Sequence, residues 1–160
     1  MKHIDLFAGI GGFSLGFENA GIETVAHVEI DKACQKVLSS HWPNHMVFAD
    51  VREVGGHNLP HADIITFGSP CQDLSIAGKR AGLEGGRSGL FFEAVRIIRE
   101  IKPKYAVWEN VPGALSSNSG RDFQSVLSTL VDRDVPMPRS GRWATAGMVR
   151  VGQKEAAWRV

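Results

Sequence analysis

The sequence predicts an α/β fold, a mostly parallel sheet with helices on both faces. Three observations predict it. Short β-type apolar runs alternate with helix-period runs in the order β-α-β-α-β-β-α-β-α, and strands joined through helices pair in parallel by right-handed crossovers. The runs end in Gly, Asp, Glu or Pro, residues that stop strands and helices. With 160 residues, 43% of them hydrophobic and 22% charged, the chain has the size and composition of one globular domain with its own core.

The first strand, at 3–7, carries Ile4 and Leu6 and runs into a glycine-rich turn. A helix at 12–20 follows, with Gly21 as its stop. The second strand is at 24–29 and the second helix at 31–41, with Pro43 beyond. Strands at 46–49 and 63–67 come next. The helix at 88–102 is the clearest, because Leu90, Phe91, Ala94, Val95, Ile97, Ile98 and Ile101 form one apolar stripe. Ser88 can cap its start, and Pro103 ends it. A strand at 105–109 and a helix at 121–132 complete the pattern. From 134 to 152 the periodicity dissolves around Pro136, Pro138, Gly141, Gly147 and Gly152, a loop composition. Residues 156–160 read as the beginning of another strand. The expected organisation is a main domain at 1–132 and a basic, loop-like tail at 133–160 leading toward a sixth strand.

A net charge of +1 argues against binding nucleic acid by bulk charge alone. The charge is uneven: residues 133–160 carry six Lys or Arg against two acids, so contact with a polyanion should lean on loops and the tail. Asp5 comes too early for a secretory signal, and no long apolar run suits a membrane span. The expected location is the cytoplasm. Cys34 and Cys71 are too few for a disulfide scaffold and should be free thiols. The pairs His41/His45 and His57/His61 have i,i+4 spacing, but Pro43 and Pro60 interrupt any shared helix, so no metal site is expected.

In a parallel α/β sheet, ligands bind outside the carboxyl ends of the strands. After the first strand, Gly9, Gly11 and Gly12 allow a tight turn whose backbone can touch a ligand, although a plain turn fits the same residues. Glu29 ends the second strand at a distance from Asp5 that suits a carboxylate on ribose hydroxyls. Asp50 ends the third, where it can accept from an adenine amino group. These three strand ends describe a nucleoside site, and no Gly-Lys-Ser/Thr element accompanies them for a nucleoside triphosphate. The fourth strand runs into Pro70-Cys71-Gln72. Cys34, inside a helix, reads as a small buried residue, whereas Cys71 sits at the ligand-binding edge and is a candidate nucleophile. The following residues, 76–89, hold five glycines and three basic residues, the composition of a flap that closes on an anion or of a plain surface loop. The fifth strand ends in Glu109-Asn110-Val111-Pro112. Glu109 is either a solvated strand end or a general acid opposite the nucleophile.

Together these residues resemble the cytosine-C5 DNA methyltransferase family of bacterial and phage restriction systems. The matching stretches are 5–17, 28–32, 68–92 around Pro70-Cys71-Gln72, and Glu109-Asn110-Val111, in the family's order. The resemblance implies a Rossmann-like fold that binds S-adenosyl-L-methionine. Phe7, Gly9, Gly11, Glu29, Ile30, Asp50, Val51, Gly68, Pro70 and Leu90 fall on the family's cofactor positions. Cys71 falls on its nucleophile and Glu109 on the acid that contacts the base. Gln72, Ser75, Asn110 and Val111 fall on substrate positions, Gln72 and Ser75 in the loop that closes over DNA. The implied reaction adds the Cys71 thiolate to C6 of a cytosine flipped out of double-stranded DNA, so that C5 takes a methyl group.

The family's Gln-Arg-x-Arg segment, target-recognition domain and Gly-Asn-Ser segment do not occur in this sequence, and residues 139–143 look like an insertion of some phage-type members. The expectation is an N-terminal half, truncated before the sixth strand: a gene fragment, one subunit of a split enzyme completed by a C-terminal partner chain, or a shortened form of a longer enzyme. The alternatives are a fragment that binds cofactor or a partner without turnover, and an RNA cytosine-C5 methyltransferase.

Overall fold

The structure is a computed structural model that describes residues 1–69 and 89–145. The chain divides into two compact units, Met1–Ser69 with Leu90–Glu109 and Pro70–Gly89 with Asn110–Val160.

The first unit holds β1 (Lys2–Leu6), α1 (Gly12–Asn19), β2 (Glu23–Val28), α2 (Lys32–His41), β3 (Met46–Phe48), β4 (Ile64–Phe67), α3 (Gly89–Ile101) and β5 (Tyr105–Trp108). The five strands form one sheet in the order β3-β2-β1-β4-β5, and every neighbouring pair is parallel. The predicted order of elements is therefore the observed one. Past Lys2, β1 is buried on both sides of its pleat, as is all of β4, so both faces of the sheet centre are covered. Ile4, Leu6, Ile65 and Phe67 are among the most deeply buried residues.

Local chemistry sets the element ends. β1 stops at Leu6 rather than Phe7, because Phe7 takes φ +58 and leaves extended backbone. α2 starts where the Asp31 carboxylate accepts from the N–H groups of Ala33 and Cys34, both at 2.8 Å. α3 buries Phe91, Ala94, Val95, Ile97 and Ile98, the predicted stripe, and ends where Lys102 turns to φ +55 before Pro103. The expected cap at Ser88 lies outside the described residues. A 3₁₀ turn at Val51–Glu53, started by the Asp50 side chain, was not legible as an element, being too short to carry a period.

In the second unit, 3₁₀ turns at Pro112–Leu115 and Ser117–Gly120 lead into α4 (Arg121–Val131). Residues 133–145 are largely irregular, ending in a 3₁₀ turn at Trp143–Thr145. They are nonetheless tied to α4. Val135 is buried, its N–H donating to Ser128 Oγ and its carbonyl accepting from Gln124 Nε2. The Trp143 ring packs edge-on against Phe123 and donates to the Gly120 carbonyl at 2.7 Å.

Among the described residues no helix is long and apolar enough to cross a membrane.

Candidate functional site

The chain leaves β1 toward β2 on one side of the sheet and leaves β4 toward β5 on the other. The carboxyl ends of β1 and β4 therefore flank the point where strand order reverses, where a crevice opens in sheets of this kind.

The turn after β1 is built from unusual backbone. Phe7, Gly9 and Gly11 all have positive φ, at +58, +55 and +90. Gly11 caps α1 in the left-handed conformation, without help from a side chain. A side chain there would overlap the Trp42 ring, whereas a Cβ at Gly9 would meet nothing within 4 Å. Gly9 thus faces open space, and Gly11 faces the protein.

Glu29, just past β2, is held in one orientation. Its Oε2 accepts from the Gly9 N–H and its Oε1 from the Asp31 N–H, each at 2.7 Å, while its carbonyl accepts from Gln35 Nε2. The side chain is only half-buried, so its remaining lone pairs are available to a ligand. The neighbouring Ile30 is 69% exposed, an apolar surface beside a fixed acceptor. Past β3, Asp50 receives Arg52 in a fork, Nε to Oδ1 at 2.9 Å and Nη2 to Oδ2 at 2.6 Å, and also accepts the Arg52 N–H. These bonds hold its carboxyl down at about 2. Val51, next in sequence, is buried.

Past β4 and β5, the Glu109 N–H donates to the Phe67 carbonyl. Its carboxylate lies against Gly68, where a Cβ would sit 3.0 Å from Oε2. A side chain at 68 would press on that carboxylate. Leu90 sits half-buried in the first turn of α3. Phe7, Gly9, Gly11, Glu29, Ile30, Asp50, Val51, Gly68 and Glu109 thus all lie in the loops at the carboxyl edge of one sheet. Pro70, Cys71, Gln72 and Ser75 lie outside the described residues. Asn110 and Val111 belong to the second unit, where Asn110 Oδ1 accepts from the Val111 N–H. Among the described residues no group of His, Cys, Asp and Glu could hold a metal ion.

Beneath the edge lies a polar chain that the sequence did not reveal. Ser14 and Thr66 each donate to Asp5, at 2.8 Å. Because the one Thr66 proton goes to Asp5, His3 must donate to Thr66 through Nε2 and accept from Thr24 at Nδ1. All five groups are buried. His27 is also buried, packed on Trp42 and His45, and among the described residues neither of its ring nitrogens has a hydrogen-bond partner.

These buried groups set a pH dependence. Burial, helped by a neighbouring histidine in each case, lowers His3 and His27 from 6.5 to about 4. The unfolded chain then binds protons below pH 6.5 that the folded state refuses until near pH 4, so stability is lost as pH falls through that window. Asp5 acts oppositely. Burial, partly offset by the Thr66 and Ser14 hydroxyls, raises it from 3.8 to about 6, so stability is lost as pH rises through that range. Two histidines outweigh one aspartate, and the melting temperature should rise from pH 4 to 6.5. His27→Leu leaves His3 and Asp5 nearly cancelling and should remove most of that slope, and Asp5→Asn should steepen it. Thermal melts across the range test this, and an unchanged slope in His27→Leu would count against the assignment.

The comparisons with known proteins agree with this architecture. The family model for C-5 cytosine-specific DNA methylase matches residues 1–134. Type II methyltransferase M.HhaI of Haemophilus parahaemolyticus is 40% identical over 134 residues, 84% of this chain and 41% of that protein. Type II methyltransferase M.NgoBI of Neisseria gonorrhoeae is 41% identical over 129 residues, 81% of this chain and 40% of that protein. The chain thus spans about two fifths of the length of these curated relatives. Among solved structures, a protein described as a DNA modification methyltransferase encoded within an E. coli prophage matches with a TM-score of 0.66 at 26% identity, covering 82% of this chain and 38% of that one. DNMT2 of Spodoptera frugiperda matches in fold with a TM-score of 0.59 at 24% identity, over 81% of this chain and 41% of that one. The fold is the Rossmann-like α/β fold of S-adenosylmethionine-dependent methyltransferases, and the chain belongs to the C-5 cytosine-specific DNA methylase family.

Proposed function

We propose that this chain supplies the cofactor site and the nucleophile of a type II DNA cytosine-C5 methyltransferase. The observation that carries the reading is the Glu29 carboxylate, fixed by the Gly9 and Asp31 N–H groups beside a glycine turn that opens to space. These residues suit S-adenosyl-L-methionine. Glu29 offers a preset acceptor for ribose hydroxyls, Gly9 leaves bare backbone for close approach, and the exposed Ile30 side chain offers apolar surface for a purine, with Val51 beside Asp50 at the same edge. Asp50, kept ionised by Arg52, accepts from the adenine amino group. Phe7, Gly11, Gly68, Pro70 and Leu90 shape the rest of the site. The cofactor, when bound, supplies an electrophilic methyl group.

Cytosine C5 is a weak nucleophile. Addition of the Cys71 thiolate to C6 makes the ring enamine-like and raises electron density at C5. Glu109 holds the N3 and amino edge of the base and offsets charge as Cys71 adds. Once C5 carries the methyl group, a base removes the C5 proton, and its electron pair restores the C5–C6 double bond and expels the Cys71 thiolate. The target base must leave the duplex, at a cost of a few kcal/mol, and contacts from Gln72, Ser75, Asn110 and Val111 offset part of it. Target recognition resides in the part of the family's length that this chain does not span, in one polypeptide or as a partner chain. The cytoplasm, which holds both DNA and cofactor in bacteria, is the place of action.

Titration calorimetry with S-adenosylhomocysteine tests the cofactor site. The wild-type chain should bind, and Glu29→Ala and Asp50→Ala should each weaken binding at least tenfold, since a hydrogen bond to a charged group contributes about 1.5–3 kcal/mol. Equal heats from all three proteins would refute the assignment.

A further inference from the structure

We propose that Arg96, in the middle of α3, is a positioning residue for the adenosine end of the cofactor site. The proposal rests on the placement of Asp50 and Val51 in that site. Arg96 sits where α3 meets the segment after β3. Its Nη2 donates to two backbone carbonyls of the segment after β3, Val51 at 3.2 Å and Val54 at 2.8 Å. Its Nε donates to Glu93 Oε2 at 2.7 Å and its Nη1 to Glu100 Oε1 at 3.0 Å. The second oxygen of Glu100 accepts the Gly56 N–H at 2.8 Å. One helix thus grips both ends of residues 51–56, on their carbonyls through Arg96 and on an amide through Glu100.

The local sequence is adapted to this grip. A Cβ at Gly55 would collide with the Glu100 carboxylate and sit 2.8 Å from Arg96 Nη1, so the absence of a side chain there is what lets the two charged groups reach the backbone. Asn58 closes the loop from the other side, accepting from the Gly55 N–H and donating to the Glu53 carbonyl. The arginine fork suits the task because it offers five donors in fixed directions, whereas a lysine ammonium is a point charge with three.

The consequence concerns Asp50 and Val51. The 3₁₀ turn that begins at Asp50 is anchored at its start by the Asp50–Arg52 fork, which is internal to the turn and ties it to nothing else. Arg96 ties the turn to α3 through the carbonyl of Val51 itself, adding a directional hold to the burial of the Val51 and Val54 side chains. Without it, the Asp50 carboxylate moves with a loosened loop, and the adenine edge meets it in varied positions. The same helix opens with Gly89 and Leu90, directly after the segment that holds Cys71. Arg96 therefore links the cofactor loop to the helix that follows the nucleophile segment.

Two measurements test the proposal. Hydrogen exchange on the unliganded protein should show residues 51–58 of Arg96→Lys exchanging about tenfold faster, with β1 and β4 unchanged. Glu100→Gln, a milder change, should show the same pattern to a smaller degree. In titrations with S-adenosylhomocysteine, Arg96→Lys should weaken binding about tenfold, and adding it to Asp50→Ala should cost no more than about twofold, since both act on one contact. Losses that simply multiply would mean that Arg96 acts elsewhere and would overturn the proposal. Unchanged affinity in Arg96→Lys, beside a weakened Asp50→Ala, would overturn the role of Arg96 and leave the cofactor site standing. Unchanged affinity in both would remove Asp50 from the site and this proposal with it.

Discussion

Exchange of Cys71 for serine is expected to lower methyl transfer to DNA by on the order of 10⁴-fold or more, the scale of removing a covalent nucleophile. The assay is transfer of tritium from labelled S-adenosylmethionine to mixed-sequence DNA, with the C-terminal portion of a curated relative supplied alongside this chain. DNA containing 5-fluorocytosine gives a sharper reading, because fluorine cannot leave as the proton does and the protein stays bonded to C6. The adduct should form with wild type, vanish in Cys71→Ser and persist in Cys34→Ser. Cys34 is the proper control. It sits half-buried in the first turn of α2, where partial burial and the Asp31 carboxylate raise its thiol above the usual range and keep it protonated. An adduct lost in Cys34→Ser and kept in Cys71→Ser would reverse the assignment.

Gly11→Ala should destabilise the protein by about 3 kcal/mol, combining left-handed backbone strain with overpacking. Against a total stability of roughly 5–15 kcal/mol, this lowers the melting temperature by about 6–12 °C. The cost is large because Trp42 cannot retreat from the new methyl group. Its indole N–H is held by Glu18 at 2.7 Å, and its ring packs on His27 and His45. Two neighbouring glycines calibrate the effect. Gly9→Ala meets no atoms but has φ +55, so it should cost only the backbone strain of about 1–2 kcal/mol. Gly12→Ala has neither problem and lies at the first position of a helix, where alanine should be neutral or mildly stabilising. Urea denaturation of the three variants would rank them, and a Gly11→Ala no worse than Gly9→Ala would show that the Trp42 wall yields.

Each described strand and helix lies within one residue of the bounds that periodicity predicts. This holds because the elements are regular and their stops are chemical: Gly21, Pro43 and Pro103 interrupt the chain where their backbones cannot continue. The carboxyl-edge residues Gly9, Glu29, Asp50 and Glu109 were legible for the same reason, each being a polar or glycine break at the end of an apolar run. What was hidden depends on distance in sequence. Arg96 reads as one more charge on the outer face of a helix, and nothing local shows that Val51 and Val54 lie beneath it. Asp5 lies inside the first predicted strand, and nothing beside it in sequence shows that it faces inward to Ser14 and Thr66. Its one sequence clue is Ser14, two residues past the first glycine pair, placed where a helix start passes a strand end. Trp42 reads as a residue after a helix, and its packing on Gly11 appears only once α1 and α2 are folded onto the sheet.

The strand order has a consequence for synthesis. β1 lies at the centre of the sheet, and its two partners reach it at very different times. His3 meets Thr24 across one edge, 21 residues on, while on the other edge Asp5 meets Thr66, 61 residues on. A ribosome adding roughly 5–20 residues per second makes β2 available early and β4 several seconds later. During that interval the β1–α1–β2 crossover unit can close by itself, leaving the far edge of β1 with unpaired amides and the apolar faces of Ile4 and Leu6 uncovered. The nascent chain thus passes through a stage in which its most buried strand is half exposed, and the emergence of residues 64–67 ends it.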